Sequence, residues 1–287
     1  MPSSSRLELN PDRLLPGDPQ QRRIARQLYE AVKELPVISP HGHVDPRILA
    51  EDVPFRDPAG LVISPDHYVT RLLHADGVSL HDLGVGRQAL SEDEARRAWR
   101  HLCEHWKVFA GTPVRFWLEA ELVEIFGVTL RPSAQTADTI FDQVTDCLGQ
   151  NAYKPRALYD RFKVEVLTTT FDPCDDLSVY DMLVNDPTWA GRAIPAFRPD
   201  RYLELARPDW PKLVEHLGEA AGVDTGDYRG FLEALEHRRR FFVNHGATSA
   251  DHSHFDARTD PLEAAEAERI YRAALAGTVN SDEAVAF

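Results

Sequence analysis

The stretch that decides the fold is Pro36-Val37-Ile38-Ser39-Pro40-His41-Gly42-His43-Val44-Asp45-Pro46. An apolar run leads into a His-x-His pair and stops at Asp-Pro, which predicts a buried β-strand. Side chains two apart in a strand share one face, so His41 and His43 should point together, with Asp45 following them. Two imidazoles at the C-terminal end of a strand supply half of a divalent-metal site. The alternative, that both rings merely bond to loop carbonyls, stays open at this point.

The composition limits the class of partner. The chain has 287 residues and a net charge of −14. This charge argues against a nucleic-acid or anionic-membrane partner, whereas a small anionic substrate needs only a local cluster of arginines. No apolar run approaches the roughly 20 residues of a membrane helix, and the N-terminus lacks the apolar core of a signal peptide. Three well-separated cysteines without a Cys-x-x-Cys motif are typical of reduced thiols in the cytoplasm.

The first half of the chain is predicted to be mostly helical. Apolar residues at a spacing of four predict a helix over residues 18–35, and the Pro- and Asp-rich residues 51–65 predict an irregular loop. A helix should open at Asp66-His67-Tyr68, and the capping box Ser91-Glu92-Asp93-Glu94 should start another, whose Trp and Phe stripe predicts core. We expect residues 50–162 to form a helical insertion or cap beside a sheet. Its further helices are predicted at 115–126, 136–148 and 155–162.

Strands alternate with helices in the second half. β-Branched and aromatic residues predict strands at 164–171, 193–198 and 241–248. With the strand before His41 this makes four, and their alternation with helices argues for parallel βαβ units. Polar residues follow each predicted strand, as at the C-terminal face of a (β/α) TIM-type barrel. A doubly wound open sheet is the competing architecture, but no Gly-x-Gly-x-x-Gly or P-loop sequence follows any of the strands.

The strand count and the C-terminus predict an incomplete chain. Four strands are half of the eight in a barrel, and Ser281 to Phe287 predicts a helix that begins without an end. We therefore expect residues 1–287 to be a single (β/α)-barrel domain, truncated at its C-terminal side. Such a piece would leave two strand edges open, which favours aggregation or pairing with another chain.

Several motifs resemble those of one enzyme family. They are His41-x-His43-x-Asp45-Pro46, Asp66-His67-Tyr68 with Gly77, Thr169-x-Phe171-Asp172-Pro173, Phe197-Arg198-Pro199-Asp200 and Asp251-His252. The set resembles the uronate isomerases (glucuronate isomerase family), a branch of the metal-dependent amidohydrolase superfamily. His-x-His alone would indicate only the superfamily, whereas Asp-His-Tyr and the Arg-Pro-Asp strand end are more specific. The resemblance implies a TIM-type (β/α) barrel with a large helical insertion after strand 1.

The resemblance also implies a reaction. It is the aldose–ketose isomerisation of hexuronates, D-glucuronate to D-fructuronate and D-galacturonate to D-tagaturonate. The family uses a divalent metal, with zinc the expected ion. The implied roles are metal ligation by His41 and His43, substrate binding by Arg198, His67 and Tyr68, and catalysis by Tyr68, His67 and Asp251. The family's His-Pro-Gly segment and its aspartate after the last strand are not in this sequence, which leaves activity of the chain itself open.

Each candidate also has a simpler interpretation. Arg198 at a strand end can form a surface ion pair, and His67 and Tyr68 can be ordinary residues at a helix start. Asp172 precedes Pro173 in a common type of turn, which favours a structural role for it. The remaining candidates stand together after the last predicted strand and are either site residues or solvated loop groups: Asp251, His252 and His254.

Three functions are compatible with the sequence. The first is the isomerase or a fragment of it, and the second is a metal-dependent hydrolase of the same superfamily. The third is an inactive half-barrel that pairs with another chain. The Asp-His-Tyr and Arg198 motifs favour the isomerase. The expected partner is a small hexuronate, without nucleic acid or membrane and with homo-oligomerisation left open, and the expected location is the cytoplasm.

Overall fold

The computed structural model describes residues 6–253 and 261–287. The chain divides into two compact units, each built from two segments of the sequence. One unit comprises Met1–Leu35 and Asp52–Arg161, and the other comprises Pro36–Glu51 and Phe162–Phe287. We call the first the helical unit and the second the sheet unit, and describe each by itself.

The helical unit consists of short and medium helices. Its α-helices are Pro19–Val32, Pro58–Val62, His67–Ala75, Glu92–Glu104, Pro113–Ala120, Ala137–Leu148 and Pro155–Arg161. Two 3₁₀ turns, Trp106–Phe109 and Asn151–Tyr153, and one π-helical turn, Glu121–Ile125, join them. The predicted helices of this half of the chain are confirmed except for the second part of the one at 115–126, with ends that move by a few residues.

Helix starts in this unit follow from capping side chains. Asp18 accepts hydrogen bonds from two backbone N–H groups at the start of the first helix. Ser91 and Glu94 form the predicted capping box: the Ser91 hydroxyl accepts from the Glu94 N–H, and Glu94 accepts from the Ser91 N–H at 2.8 Å. The Asp66 carboxylate likewise caps His67–Ala75 and accepts from the Tyr68 N–H at 2.7 Å.

The predicted aromatic stripe forms the core of the helical unit. Trp99 and Phe109 are almost fully buried, as are the alanines and leucine between and before them. The indole of Trp99 packs edge-on against Phe141 and donates to the carbonyl of Ala137 at 3.1 Å. Burial of a large aromatic with its polar N–H satisfied is the arrangement that stabilises a core. The prediction of core rather than a cofactor box is therefore confirmed.

Two predictions in this unit were wrong in detail. Residues 51–65 are not irregular throughout, because Pro58–Val62 forms a short helix that Asp57 caps by accepting from the Gly60 N–H at 2.7 Å. Asp followed by Pro at the first helical position is itself a helix-start signal. The helix predicted at 115–126 is α-helical only to Ala120 and then changes to the π-helical turn.

The sheet unit holds a small parallel sheet. Its strands are β1 (Val37–Ser39), β2 (Val164–Phe171) and β3 (Ala193–Phe197), in the order β1-β2-β3. Both pairings are parallel, with Ser39 opposite Leu167 and Phe171 opposite Phe197. Parallel strands joined by helices confirm the α/β class. The carboxyl ends of all three strands therefore meet at one edge of the sheet.

The strand around the His-x-His pair is shorter than predicted, and the prediction that it is buried was wrong, because Val37 and Ile38 are exposed. β1 ends at Ser39, so His41 and His43 lie in the loop beyond it rather than on a strand face. Pro40 has no N–H with which to continue the ladder, and this gives a physical reason for the early end. The alternation argument for the two rings was therefore wrong, although the tertiary structure still brings them together.

The strand predicted at 241–248 is wrong. Phe241 and Phe242 belong to a helix, Tyr228–Asn244, that is longer than predicted. A short apolar run does not distinguish a strand from a buried helical face. Pairing with β3 occurs later in the chain, where Ala250 forms a single parallel bridge to Phe197.

Helices complete the sheet unit. They are Arg47–Glu51, Ser178–Asn185, Asp200–Leu203, Trp210–Ala221, Tyr228–Asn244, Ala264–Leu275 and Ser281–Ala286. Three of them meet at buried aromatics, with the Tyr271 ring 5.4 Å from Trp210 and 5.3 Å from Phe231. The sequence around Ser281 predicts a helix cap at Ser281 itself, but in the structure Asn280 is the cap and accepts from the Glu283 N–H. Among the described residues, no helix has the length and apolar character needed to cross a membrane.

The capping box generates a stability prediction for the helical unit. We expect Ser91→Ala to lower the free energy of unfolding by about 1 kcal/mol, because the Glu94 N–H loses its acceptor. Urea denaturation followed by circular dichroism measures the change. Ser79→Ala, at an exposed serine of the same unit, is the control and should change stability by less than about 0.5 kcal/mol. Equal effects of both substitutions would contradict the role of the cap.

Candidate functional site

Backbone hydrogen bonds hold four chain segments side by side just past the strand ends. The Thr170 N–H donates to the carbonyl of Gly42 at 3.1 Å, and the Arg198 N–H donates to that of Phe171 at 3.0 Å. The Asp251 N–H donates to the Phe197 carbonyl at 3.0 Å. These bonds continue the sheet ladder for one step beyond the regular strands. The loops that carry the candidate residues are thus fixed relative to one another.

Gly42 permits one of these close approaches. A Cβ atom at this position would lie 2.9 Å from the carbonyl oxygen of Thr168, closer than side chains tolerate. The sequence predicted such an approach from the glycine between the two histidines. Only a residue without a side chain lets the His41–His43 loop lie against β2.

One carboxylate joins a histidine and an arginine. His41 Nδ1 lies 2.9 Å from Asp251 Oδ2, and Arg198 Nη1 lies 3.4 Å from the same oxygen. The side chains of Arg198 and Asp251 are about three-quarters buried, whereas that of His41 is half exposed. The structure therefore brings together three residues predicted from three distant parts of the sequence.

His43 adds a second imidazole to this group. Its ring centroid lies 4.7 Å from that of His41, nearly perpendicular to it, and its Nδ1 lies 3.2 Å from the hydroxyl oxygen of Thr170. Asp45, expected to follow the two histidines, instead accepts from the backbone N–H and the side chain of Arg47 at 3.0 Å, just before the helix Arg47–Glu51. The site thus contains the His pair without Asp45.

Asp200 belongs to the Arg-Pro-Asp motif of the sequence analysis, which assigned it no role, and the structure places it in the site. Its Oδ2 accepts from Arg198 Nε at 2.8 Å and from the Ser253 hydroxyl at 2.9 Å. Burial acts to raise the pKa of Asp200, but the hydrogen bonds from Ser253 and Arg198 outweigh it and lower that pKa. His252 Nδ1 lies 3.7 Å from the other oxygen, and His254 lies outside the described residues. The Arg-Pro-Asp spacing was the available signal for Asp200.

Asp172 has the structural contacts that its Asp-Pro sequence favoured. The Tyr202 hydroxyl donates to its Oδ1 at 2.8 Å, and the Cys174 N–H donates to the same atom at 3.0 Å. Arg201 Nη1 lies 3.3 Å from its Oδ2. Cys174 is partly buried, and burial raises the pKa of its thiol. These contacts of Asp172 hold the turn after β2 in its conformation.

His67 and Tyr68 belong to the helical unit and form a separate cluster there. Their rings lie 4.1 Å apart at the helix start. Tyr68 also packs edge-on against Trp117 at 5.8 Å, and the Arg71 guanidinium lies 4.7 Å from its ring centroid. Tyr68 remains 41% exposed, so its hydroxyl-bearing ring is not core. The surface around it thus combines aromatic rings with a guanidinium.

Glu121, the first residue of the π-helical turn, is a feature of this unit that the sequence did not reveal. It follows Trp117 by one helical turn. Burial, together with the smaller effect of the nearby Asp66 charge, raises the pKa of its carboxyl to about 7. π-Helical turns occur frequently at functional sites. The helical unit thus contains a carboxyl group whose pKa lies near neutral pH.

The sheet-edge histidines partly fit a divalent cation. His41 Nδ1 faces the Asp251 carboxylate, so its neutral ring would carry the lone pair on the opposite nitrogen, as in carboxylate–histidine–metal arrangements. Residues 6–253 and 261–287 nevertheless contain no group of three or more His, Cys, Asp or Glu side chains placed to hold a metal ion. The described residues therefore place two imidazoles at the sheet edge but do not form a full coordination shell.

Comparisons with known proteins identify the family. Residues 20–287 match the family model described as glucuronate isomerase. The chain is 48% identical over 281 residues to a uronate isomerase of Cutibacterium acnes, and 44% identical over 279 residues to one of Corynebacterium efficiens. The chain belongs to the glucuronate isomerase family. The two alignments cover 98% and 97% of this chain but 60% and 59% of the relatives.

Solved structures agree with the assignment to the glucuronate isomerase family. The crystal structure of glucuronate isomerase from Caulobacter crescentus is similar with a TM-score of 0.90 at 39% identity, over 97% of this chain and 58% of that one. Uronate isomerase from Thermotoga maritima gives 0.85 at 28% identity, over 98% and 60%. The chain thus spans about 60% of the length of the family members that it matches.

The raised pKa of Glu121 generates a prediction about pH. The folded state keeps this carboxyl protonated up to about pH 7, whereas an ordinary value is 4.5, so the folded state binds more protons between these values. Stability should therefore fall as pH rises from about 4.5 to 7, by up to about 3 kcal/mol from this group. Glu121→Gln should remove that fall, as measured by urea denaturation at pH 5 and pH 8. Glu104→Gln, at an exposed position of the same unit, should leave it unchanged.

Proposed function

We propose that this chain carries part of the active site of a uronate isomerase. The reaction would convert D-glucuronate to D-fructuronate and D-galacturonate to D-tagaturonate. Family membership supports the reaction class. The observation that carries the proposal for the site is the convergence of His41 and Arg198 on Asp251 Oδ2. A guanidinium held beside a carboxylate and two imidazoles combines an anion-binding group with proton-transfer groups.

Arg198 is proposed to bind the substrate. Its guanidinium is planar and offers paired N–H groups, which match a carboxylate or two adjacent hydroxyls of the sugar. Asp200 and Asp251 hold it at Nε and Nη1, and about 30% of the side chain remains exposed. It is therefore fixed in orientation while part of it still reaches solvent, as substrate binding requires.

Asp251, His67 and Tyr68 are proposed to act in catalysis. Moving the carbonyl between C1 and C2 requires a base that removes the C2 proton and returns it at C1, and a donor that stabilises the enediol oxygen. A carboxylate such as Asp251 suits the first task. The Tyr68 hydroxyl suits the second, and the His67 imidazole is proposed as a proton carrier between groups of the substrate. We propose that His67 and Tyr68 also contribute to substrate binding.

A divalent cation is proposed as cofactor, with His41 and His43 as two of its ligands and zinc as the expected ion. When bound, such an ion polarises and orients substrate oxygens. The support is the imidazole pair at the sheet edge and the contact of His41 with Asp251, which orients the ring for ligation.

We also propose a barrel architecture, a cellular location and a binding partner for this chain. The three parallel strands would be part of a TIM-type (β/α) barrel, with the helical residues 50–162 inserted after β1. Similarity to the two solved isomerase structures supports this proposal. The free cysteines Cys103, Cys147 and Cys174 support a reducing cytoplasm, and a small hexuronate is the proposed partner.

Activity provides the first test. Purified protein incubated with D-glucuronate and zinc should form the ketouronate, followed by its absorbance or by chromatography. Arg198→Met should lower kcat/KM by about two orders of magnitude or more, because the substrate anion loses its bidentate partner. Arg207→Met is the matched control, since Arg207 also precedes a Pro-Asp pair and should leave kcat/KM unchanged. Absence of turnover with either uronate at every metal loading would remove the isomerase proposal for this chain.

Metal binding provides a second, independent test. Titration calorimetry should detect zinc binding by the wild-type chain, and His41→Ala or His43→Ala should weaken it at least tenfold, because each removes a nitrogen ligand. His216→Ala, at an exposed histidine of the same unit, should not change the affinity. Equal zinc affinity in all three variants would contradict ligation by the pair.

A further inference from the structure

The tripeptide Arg-Pro-Asp occurs twice within twelve residues. The first copy is Arg198-Pro199-Asp200 and the second is Arg207-Pro208-Asp209. In both copies the carboxylate binds the arginine two residues before it. Asp200 Oδ2 lies 2.8 Å from Arg198 Nε, and Asp209 Oδ1 lies 3.1 Å from Arg207 Nε. The local sequence therefore forms the same ion pair twice.

The two aspartates differ in their other contacts. The side chain of Asp209 is 49% exposed, as expected for a surface ion pair. That of Asp200 is only 14% exposed. Asp200 Oδ2 also accepts from the Ser253 N–H at 3.0 Å and from the Ser253 hydroxyl at 2.9 Å. The first copy thus connects two segments that are 53 residues apart.

These contacts close a ring around the candidate site. Ser253 follows Asp251 by two residues, and Asp251 Oδ2 contacts both His41 Nδ1 and Arg198 Nη1. Asp200 holds the same guanidinium at Nε. The guanidinium is therefore held along two of its edges. Asp200 contacts it at Nε, and Asp251, in the 251–253 segment, contacts it at Nη1. A planar group held in this way has little rotational freedom.

We propose that Asp200 is a positioning residue, which orients Arg198 and anchors the 251–253 segment so that Asp251 reaches His41. The consequence for catalysis rests on the proposed isomerase function, but the anchoring itself does not. A carboxylate is suited to this role because it accepts several hydrogen bonds at once. Burial acts to raise the pKa of Asp200, but the hydrogen bonds from Ser253 and Arg198 lower it overall. Asp200 is therefore ionised at neutral pH.

The structural part of the proposal is tested by NMR of the full chain. The readouts are hydrogen exchange of the Ser253 amide and the Nε–H resonance of Arg198, assigned with Arg198→Lys. Asp200→Ala should speed exchange at Ser253 at least tenfold and shift or broaden the Arg198 resonance. Asp209→Ala, in the matching tripeptide, should change neither. Unchanged signals in Asp200→Ala, or equal changes in Asp209→Ala, would overturn the proposal.

Asp200→Asn removes the charge of Asp200 but keeps an acceptor oxygen, and it serves if the alanine variant does not fold. The amide oxygen can still accept from the Ser253 N–H, so that exchange should stay within about threefold of the wild type. Because a neutral amide oxygen accepts more weakly from a guanidinium than a carboxylate oxygen does, the Arg198 Nε–H resonance should shift in the direction seen in Asp200→Ala, by a smaller amount. An Arg198 resonance at its wild-type position in Asp200→Asn would overturn the role of the Asp200 charge.

Kinetics test the consequence for catalysis. Asp200→Ala should lower kcat/KM for D-glucuronate by roughly 10- to 100-fold, as loss of a supporting partner typically does, with most of the change in KM because Arg198 is mispositioned. Asp209→Ala should retain wild-type values. If the wild-type chain itself does not turn over, the isomerase proposal fails, and the two NMR readouts still decide whether Asp200 anchors the segment.

Discussion

One carboxylate oxygen, Oδ2 of Asp251, is the point on which the candidate site depends. It contacts an imidazole from the loop after β1 and a guanidinium from the end of β3. Neither contact is deeply buried, so each alone would contribute on the order of 1 kcal/mol or less. Their importance lies in geometry, since one atom fixes the relative position of His41 and Arg198. Asp200 supports the same arrangement from the other edge of the guanidinium.

The parallel sheet makes this convergence possible. Strands that run in the same direction end at the same edge, so loops from distant parts of the chain begin next to one another. Backbone hydrogen bonds then extend the order past the strands, from Thr170 to the Gly42 carbonyl and from Asp251 to the Phe197 carbonyl. The histidine pair therefore does not need a strand of its own. A three-residue β1 is sufficient because the loop after it is held by β2.

The helical unit contributes a different kind of group. Its core is an aromatic stripe, and its capped helix starts are typical of stable helical packing. Around Tyr68 it instead presents exposed aromatic and charged side chains, with Glu121 titrating near neutral pH. The match to the glucuronate isomerase family includes residues of both units. The chain spans about 60% of the length of its relatives.

The sequence by itself determined what depends on local chemistry: the family, the α/β class, the capped helices, β2, and His41, His43, Arg198 and Asp251 as candidates. It failed at Phe241–Thr248, because a short apolar run fits a helix as well as a strand. Only the tertiary structure showed that Asp200 binds Ser253 while the identical tripeptide at Asp209 remains on the surface. The reason is that contacts between residues 53 apart depend on which strand ends are neighbours, and local sequence does not specify that.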